Sequence, residues 1–403
     1  MLYKDNIPVI MYHTVGRVIP KWHWSYLTVP FKIFEDHLKW LTKSGYDTVD
    51  LEDLYCHVSG DSIITRPSVV LTFDDGYVDN WTYVTPLLKK YGCKATVFVN
   101  PDFIDPRNII RPTLDDVWAG KVKEEDLDTR GFISWQEIRQ MVKSGVFSVQ
   151  SHLMTHTWYP INDEVVDFHH PGDDNYWLDW NSYPQDKPYY LNDPHSSKVL
   201  YGTPIYKHTK SMEASRFYPD EEETIYLTRY VESNGGTTFF SQGNWREILF
   251  SVLYKYRDSS RAEGRYETQA ERMERYTYEL MQSKKLIEDN TKTEVNFLAW
   301  PGGGYDAKAM NLALNVYKSV TISSQDRSVL FNKPYGDPSK IRRLGVPNIE
   351  YNNKFKYTAG RYFVNFLDEQ RNVRLARKRR QLFKLAYIFS LAFGVSKADY
   401  SLV

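Results

Sequence analysis

The pattern of apolar and polar positions divides this chain into short β-branched runs alternating with amphipathic segments. Ile7 to Tyr12, Ser68 to Phe73, Ala95 to Val99, Phe147 to Gln150, Val295 to Trp300 and Val320 to Ser323 each read as a buried strand, apolar nearly throughout rather than alternating. Between them, apolar residues recur at helical spacing. Phe31, Phe34, Leu38 and Leu41 predict a helix closed by Gly45, and Leu51, Leu54 and Tyr55 a short one. Thr82 to Tyr91 predicts a helix with Pro86 in its first turns, and Ser134 to Glu137 is a capping box opening a helix that ends at Gly145. Further helices are expected over about 262–289 and 307–318.

Repeated β-α units of this kind argue for a mostly parallel sheet or barrel with its helices outside. The alternation lapses over about 158–260, where Tyr, Trp, Pro, Asp and His crowd together in stretches such as HHPGDDNYWLDW. That segment reads as an inserted cap with short strands near Thr224 to Val231 and Thr237 to Phe240. The chain therefore divides into a first barrel part (1–157), the insertion (158–260), a second barrel part (261–350) and a helical tail (351–403). In the tail, RNVRLARKRR runs directly into QLFKLAYIFSLAF. A basic helix leading into apolar sequence suits peripheral contact with an anionic membrane or a partner, or else a solvated helix followed by a packed one.

Composition changes this picture in three ways. Lys plus Arg and Asp plus Glu are both 51, so no global field favours nucleic acid, and a charged partner must be met by a local patch. Aromatic residues make up 15 % of the chain, with 31 Tyr and 11 Trp, which predicts many rings at or near the surface, suited to stacking on sugar rings or on partner proteins. Two cysteines, Cys56 and Cys93, cannot build a disulfide framework and are expected as buried free thiols. The N-terminus MLYKDNIPVI lacks the pattern of a signal peptide, so the chain is expected in the cytoplasm or at a membrane surface if it is complete, and exported otherwise.

The candidate chemistry sits where strands stop. Four runs end on polar or glycine-rich residues: His13, Asp74-Asp75-Gly76, His152 and Pro301-Gly302. In parallel α/β architectures the C-terminal strand ends share one rim, so these residues are expected to meet there. An Asp-Asp pair can divide into a metal ligand and a base, or simply close a turn. His152 and His156, four apart, can face one ion and with Asp75 make a two-histidine, one-carboxylate site.

The order of these pieces resembles the NodB-homology polysaccharide deacetylases, carbohydrate esterase family four, through TFDDG at Thr72 to Gly76 and the pair His152 and His156. IPVIMYH near the N-terminus and AWPGGGYD at Ala299 to Asp306 are similar to motifs of the biofilm poly-N-acetylglucosamine deacetylase branch. The resemblance implies a distorted (β/α) barrel and a divalent metal, most often zinc, held by Asp75, His152 and His156. It implies Asp74 as general base, the Gly302 backbone N–H as oxyanion donor and His13 as general acid, the role of the histidine in the MYH motif. No histidine follows His208 to take the acid's usual C-terminal place. Arg343, in RRLGV, is similar to an arginine of the biofilm branch and is expected either to pair with Asp74 or to form a surface salt bridge. Trp300 and Tyr305 are expected to wall the pocket. Leu153 stands where a Ser or Thr commonly follows the first metal histidine, Gly302 where a Tyr or Phe is common, and Ala299 where an arginine usually orients the base. The implied activity is removal of acetyl groups from an N-acetylated sugar. A non-catalytic glycan or partner binder and an amidase for a small non-sugar amide are the alternatives.

Overall fold

A computed structural model describes residues 6–19, 22–193, 196–259, 264–351 and 354–392. Seven parallel strands close on themselves: β1 (Val9–Tyr12), β2 (Ser68–Phe73), β3 (Ala95–Val99), β4 (Phe147–Ser151), β5 (Phe297–Leu298), β6 (Ser319–Ile322) and β7 (Lys340–Gly345). Closure runs through β1, which pairs with β2 at Val9↔Val70 and with β7 at Val9↔Arg343. The barrel is distorted where β5 meets β4, since the two share a single register pair, Leu298↔Ser151. Every residue of β2 and β3 is buried, as apolar runs flanked on both faces require.

The barrel helices follow the predicted periods. Phe31–Lys43 (α1) buries Phe34, His37, Leu38 and Leu41, and Trp135–Lys143 is opened by the Ser134–Glu137 capping box. The helix expected over Thr82 to Tyr91 starts earlier, with a π-helical turn at Asn80–Val84 running directly into Thr85–Tyr91, so Pro86 stands inside it and the wider turn before it makes room for the ring and the missing N–H. The expected helix over 262–289 begins later, at Gln269, and turns through a π-helical stretch at Tyr278–Gln282 before ending at Thr291. The seventh strand, Lys340–Gly345, follows no apolar run, because it carries Arg342 and Arg343 in succession, one on each face.

The insertion is built differently from expectation. Its longest strands are an antiparallel pair, Trp158–Phe168 with Pro204–Lys210, and the segments expected as strands are helical, Glu221–Ser233 and Gly236–Ser241. Asp220 caps the first of these, and Glu221, Glu222 and Glu223 place negative charge at its positive end. Leu227 and Val231 then meet Leu249 and Leu253 of Trp245–Ser259 in a core that belongs to the insertion. The aromatic rings are also less exposed than composition suggested: among the tryptophans only Trp118 is exposed, and Trp22, Trp177 and Trp180 pack with Tyr77, Phe103 and Phe132 between insertion and barrel. Cys93 is buried and Cys56 half-buried, both free.

The tail adds Gly360–Gln370 (α2) and Ala376–Ala392 (α3); residues 393–403 lie outside the described residues. No described helix is long and apolar enough to cross a membrane. Helix α2 lies against α1 at Gly360, where an added Cβ would fall 2.2 Å from the Asp36 carbonyl oxygen, so only glycine permits this approach. His37 closes the same seam: its Nδ1 is 2.9 Å from the Tyr12 hydroxyl, its Nε2 2.6 Å from the Thr358 carbonyl, and its ring stacks on Phe363.

Candidate metal centre and active site

Four of the strand ends meet on one rim, as their parallel register requires. The Asp74 N–H donates to the Tyr12 carbonyl (3.0 Å), that of His152 to Val99 (2.9 Å) and that of Ala299 to Ser151 (3.0 Å), so each segment leaves the barrel beside its neighbour. Asp75 and Gly76 then turn with φ of 74° and 71°. Aspartate tolerates this left-handed region, and at Gly76 a Cβ would press to 3.1 Å of Val99 Cγ1. The turn aims the two carboxylates in different directions.

Asp75 Oδ1 lies 3.2 Å from Nε2 of both His152 and His156, and the three ligand atoms fall within 4.8 Å of one another. His152 Nδ1 is 2.8 Å from the Ala299 carbonyl oxygen, which can only accept, so Nδ1 carries the proton. In the neutral ring the Nε2 lone pair then faces Asp75. Asp75 Oδ1 itself is buried without a hydrogen-bond partner. Lone pairs converging at such distances are unfavourable unless a cation lies among them, and a carboxylate with two imidazoles is a borderline-metal donor set. The residues present fit a zinc-like divalent ion.

Charge balance points the same way. Asp74 is 2 % exposed and is gripped by Arg343 through both oxygens, Nη1 to Oδ1 at 2.6 Å and Nη2 to Oδ2 at 2.8 Å. This is a buried bidentate pair, and it does for Asp74 what the arginine absent at Ala299 would do. Burial alone would raise the Asp74 carboxyl, but Arg343, with His152 and His13, outweighs it and holds the group below the usual range. Burial likewise pushes Asp75 up, and His156 and His152 bring it well below its ordinary value. Two buried carboxylates against one guanidinium leave a net negative centre. His152 reflects that deficit: burial lowers it, yet Asp74 and Asp75 carry it above its ordinary value. His13 goes the other way, because burial dominates the pull of Asp75 and Asp74.

The loop joining the two histidines is held in a strained form, with Leu153 at φ 62° and His156 at φ 43°. What holds it is a residue the sequence did not flag. Glu279, 1 % exposed on the π-helical stretch, accepts from the backbone N–H of Met154 (2.9 Å) and Thr155 (3.1 Å) and from the Thr155 hydroxyl. Asn100 Nδ2 donates to the carbonyls of His152 and Leu153. Leu153 offers no hydroxyl to this loop, and Glu279 supplies the anchoring acceptor from across the fold.

These groups open into a cavity of about 410 Å³, within the range of small-molecule sites. His13, Asp74, Asp75, His152, His156, Trp300, Gly302 and Arg343 all line it. Tyr305 does not; it backs Trp300 at a ring distance of 5.1 Å and bonds Asp326 through its hydroxyl (3.2 Å). Much of the remaining wall is aromatic and was not read from the sequence: Trp24, Phe103, Trp158, Trp180 and Tyr190. Trp158, Trp180 and Tyr190 belong to the insertion, and Trp24 stacks on Trp158 at 6.1 Å and 19°.

Residues 63–171 match the family model described as polysaccharide deacetylase. YxkH of Bacillus subtilis (strain 168), named for the polysaccharide deacetylases, is 30 % identical over 151 residues, 38 % of this chain and 43 % of that protein. The poly-beta-1,6-N-acetyl-D-glucosamine N-deacetylase of Escherichia coli (strain K12) is 27 % identical over 151 residues, 36 % of this chain and 21 % of that one. The chain thus spans less than half the length of these curated relatives. Among solved structures, the BpsB deacetylase domain of Bordetella bronchiseptica is similar over 85 % of this chain and 96 % of that one, at 17 % identity and a TM-score of 0.49. The match over residues 63–171 thus lays a polysaccharide deacetylase family segment across the strands and loops that carry Asp74, Asp75, His152 and His156 within the closed parallel barrel.

Proposed function

We propose that this chain hydrolyses the acetamide of an N-acetylated sugar in a polysaccharide or glycoconjugate, with a divalent cation, zinc by its donor set, held by Asp75, His152 and His156. The observation that carries the reading is the partnerless, buried Asp75 Oδ1 facing two imidazoles beside a second carboxylate locked by Arg343. A site for binding alone has no use for that second group. When bound, the cation polarises the acetyl carbonyl and makes water more acidic.

The protein's own residues supply the rest. Asp74, kept ionised by Arg343, takes the proton of the attacking water at a carboxylate oxygen whose position both hydrogen bonds fix. His13, on the cavity wall at the end of the neighbouring strand, gives a proton to the leaving nitrogen; burial lowers its affinity for that proton and so makes the protonated ring a ready donor. The backbone N–H of Gly302 is the donor for the developing oxyanion. The aromatic walls of Trp24, Trp158 and Trp180 suit the apolar faces of pyranose rings and exclude water around the reacting bond. The name of the Escherichia coli relative directs the choice of substrate toward N-acetylglucosamine polymers.

The test is acetate release from a panel of N-acetylated and O-acetylated saccharides and small amides, with and without chelator. Chelation abolishes release and zinc restores it; Asp75→Ala loses zinc binding, whereas Asp74→Asn keeps zinc and loses turnover. Acetate release at the parent rate by Asp74→Asn would overturn the mechanism, and turnover confined to small amides would overturn the substrate class.

A further inference from the structure

One charged feature of the molecule takes no part in the barrel site. Residues 371–392 contain seven Lys or Arg and no Asp or Glu, in a chain whose net charge is zero. Two of the seven are spent on α2: Arg379 pairs with Asp368 (3.3 Å) and Arg380 with Glu369. Arg374, Arg377, Lys378 and Lys384 are exposed.

Helix α3 sorts these charges by face. Ala376 and Tyr387 are buried and Arg380 and Phe383 half-buried, which fixes the side turned to the protein. The opposite side carries Leu382, Leu385 and Phe389, which are 68 %, 63 % and 61 % exposed. At 3.6 residues per turn these three fall within about 60° of one another. Lys378 continues that stripe toward the helix start, Arg379 lies about 60° beyond it on one side, and Arg377 and Lys384 lie about 80–100° beyond it on the other. Single exposed apolar residues are ordinary; a stripe of large ones flanked by cations, on a helix without a carboxylate, is the pattern of a helix lying in a bilayer surface.

We propose that α3 docks this protein on an anionic lipid surface, with Leu382, Leu385 and Phe389 entering the acyl boundary and Arg374, Arg377, Lys378 and Lys384 meeting lipid phosphates. Charge complementarity selects that occupant over a second copy of the chain, whose α3 would bring the same positive charge. The C-terminal layer also reaches the cavity: the Tyr357 hydroxyl donates to the Tyr26 carbonyl at 2.8 Å, and Tyr26 lines the cavity wall.

The experiment is co-sedimentation of the full chain with phosphatidylcholine vesicles, with and without phosphatidylglycerol, at low and high salt. Binding is expected only with the anionic lipid and is expected to weaken with salt. Each surface cation near such a membrane is worth about fivefold in affinity, so Arg377→Glu, Lys378→Glu and Lys384→Glu together should weaken binding by about a hundredfold or more. Leu382→Ser with Leu385→Ser should weaken it separately, leaving the salt dependence in place. All five positions are exposed, and circular dichroism with soluble-substrate turnover checks that each variant is folded. Failure to bind anionic vesicles at low salt, equal binding to both vesicle types, or binding indifferent to both variant sets would overturn the proposal. So would retention on heparin, or dimerisation in sedimentation velocity lost in the Leu382 and Leu385 variant, if no vesicle binding accompanies it.

Discussion

Replacing Arg343 by methionine removes the guanidinium while keeping most of the side chain's volume. The Arg343 and Asp74 side chains are 9 % and 3 % exposed, and both hydrogen bonds between them are charge-assisted. Breaking one partner of such a pair costs roughly 3–5 kcal/mol if the other stays charged. Asp74 can escape part of that cost by binding a proton. With Arg343 present, its influence and that of the histidines overcome burial; without it burial dominates, and the carboxyl should rise. The sign then follows: a base works ionised, its ionised fraction grows with pH, and a raised pKa moves the acidic limb of the rate profile to higher pH. The assay is kcat/KM for acetate release across pH, with thermal unfolding at mildly alkaline pH. Arg343→Met should lose about 10²- to 10⁴-fold at neutral pH, recover in part as pH rises, and melt several degrees lower. Arg343→Lys keeps the charge without the fork and should fall between. An acidic limb at the parent's pH, with unchanged melting, would refute the clamp.

Three further outcomes are expected. Glu279→Gln should weaken Zn²⁺ or Co²⁺ affinity by about 10- to 100-fold, read by titration calorimetry, because the strained loop between the histidines loses its charged acceptor. Trp158→Ala should raise KM by about tenfold with kcat little changed, as the loss of a wall that binds ground and transition states alike predicts. Burial lowers His37 to about 4 against 6.5 when unfolded, so between those values the unfolded chain binds the extra proton and stability falls as pH drops through the window. The full loss is on the order of 3 kcal/mol, and urea unfolding of His37→Gln should show that part of the pH dependence flattened.

The barrel was legible in the sequence where both faces of a strand are covered, because Val69 to Phe73 and Ala95 to Val99 then become apolar runs broken only by Thr72 and Thr96. It was illegible at Lys340–Gly345, which closes the barrel between β6 and β1 yet reads KIRRLG. Arg343 occupies a strand position because a buried carboxylate awaits it, so the requirement of the site overrides the pattern by which strands are recognised. The insertion misled for another reason. Thr224 to Val231 is rich in β-branched and aromatic residues, but Asp220 and three successive glutamates fix a helix start that local propensity does not reveal.

The site was legible to the extent that its parts sit at strand ends. His13, Asp74, Asp75, His152 and Gly302 each follow an apolar run, and parallel register carries all of them to one rim. Residues that act across the fold leave no such mark. Glu279 answers backbone groups of Met154 and Thr155 that precede it by more than a hundred positions, and in sequence it is one acid among many on a charged helix. Trp24, Phe103, Trp158 and Trp180 lie in loops or in the insertion, where no period sets their direction. The two adjacent aspartates show why partners matter more than neighbours in the chain. Asp75 turns at positive φ toward two imidazoles and is left short of positive charge, while Asp74 meets a guanidinium and is satisfied. One is thereby made a ligand and the other a base, and exchanging Arg343 for a neutral side chain should blur that distinction before it disturbs the barrel.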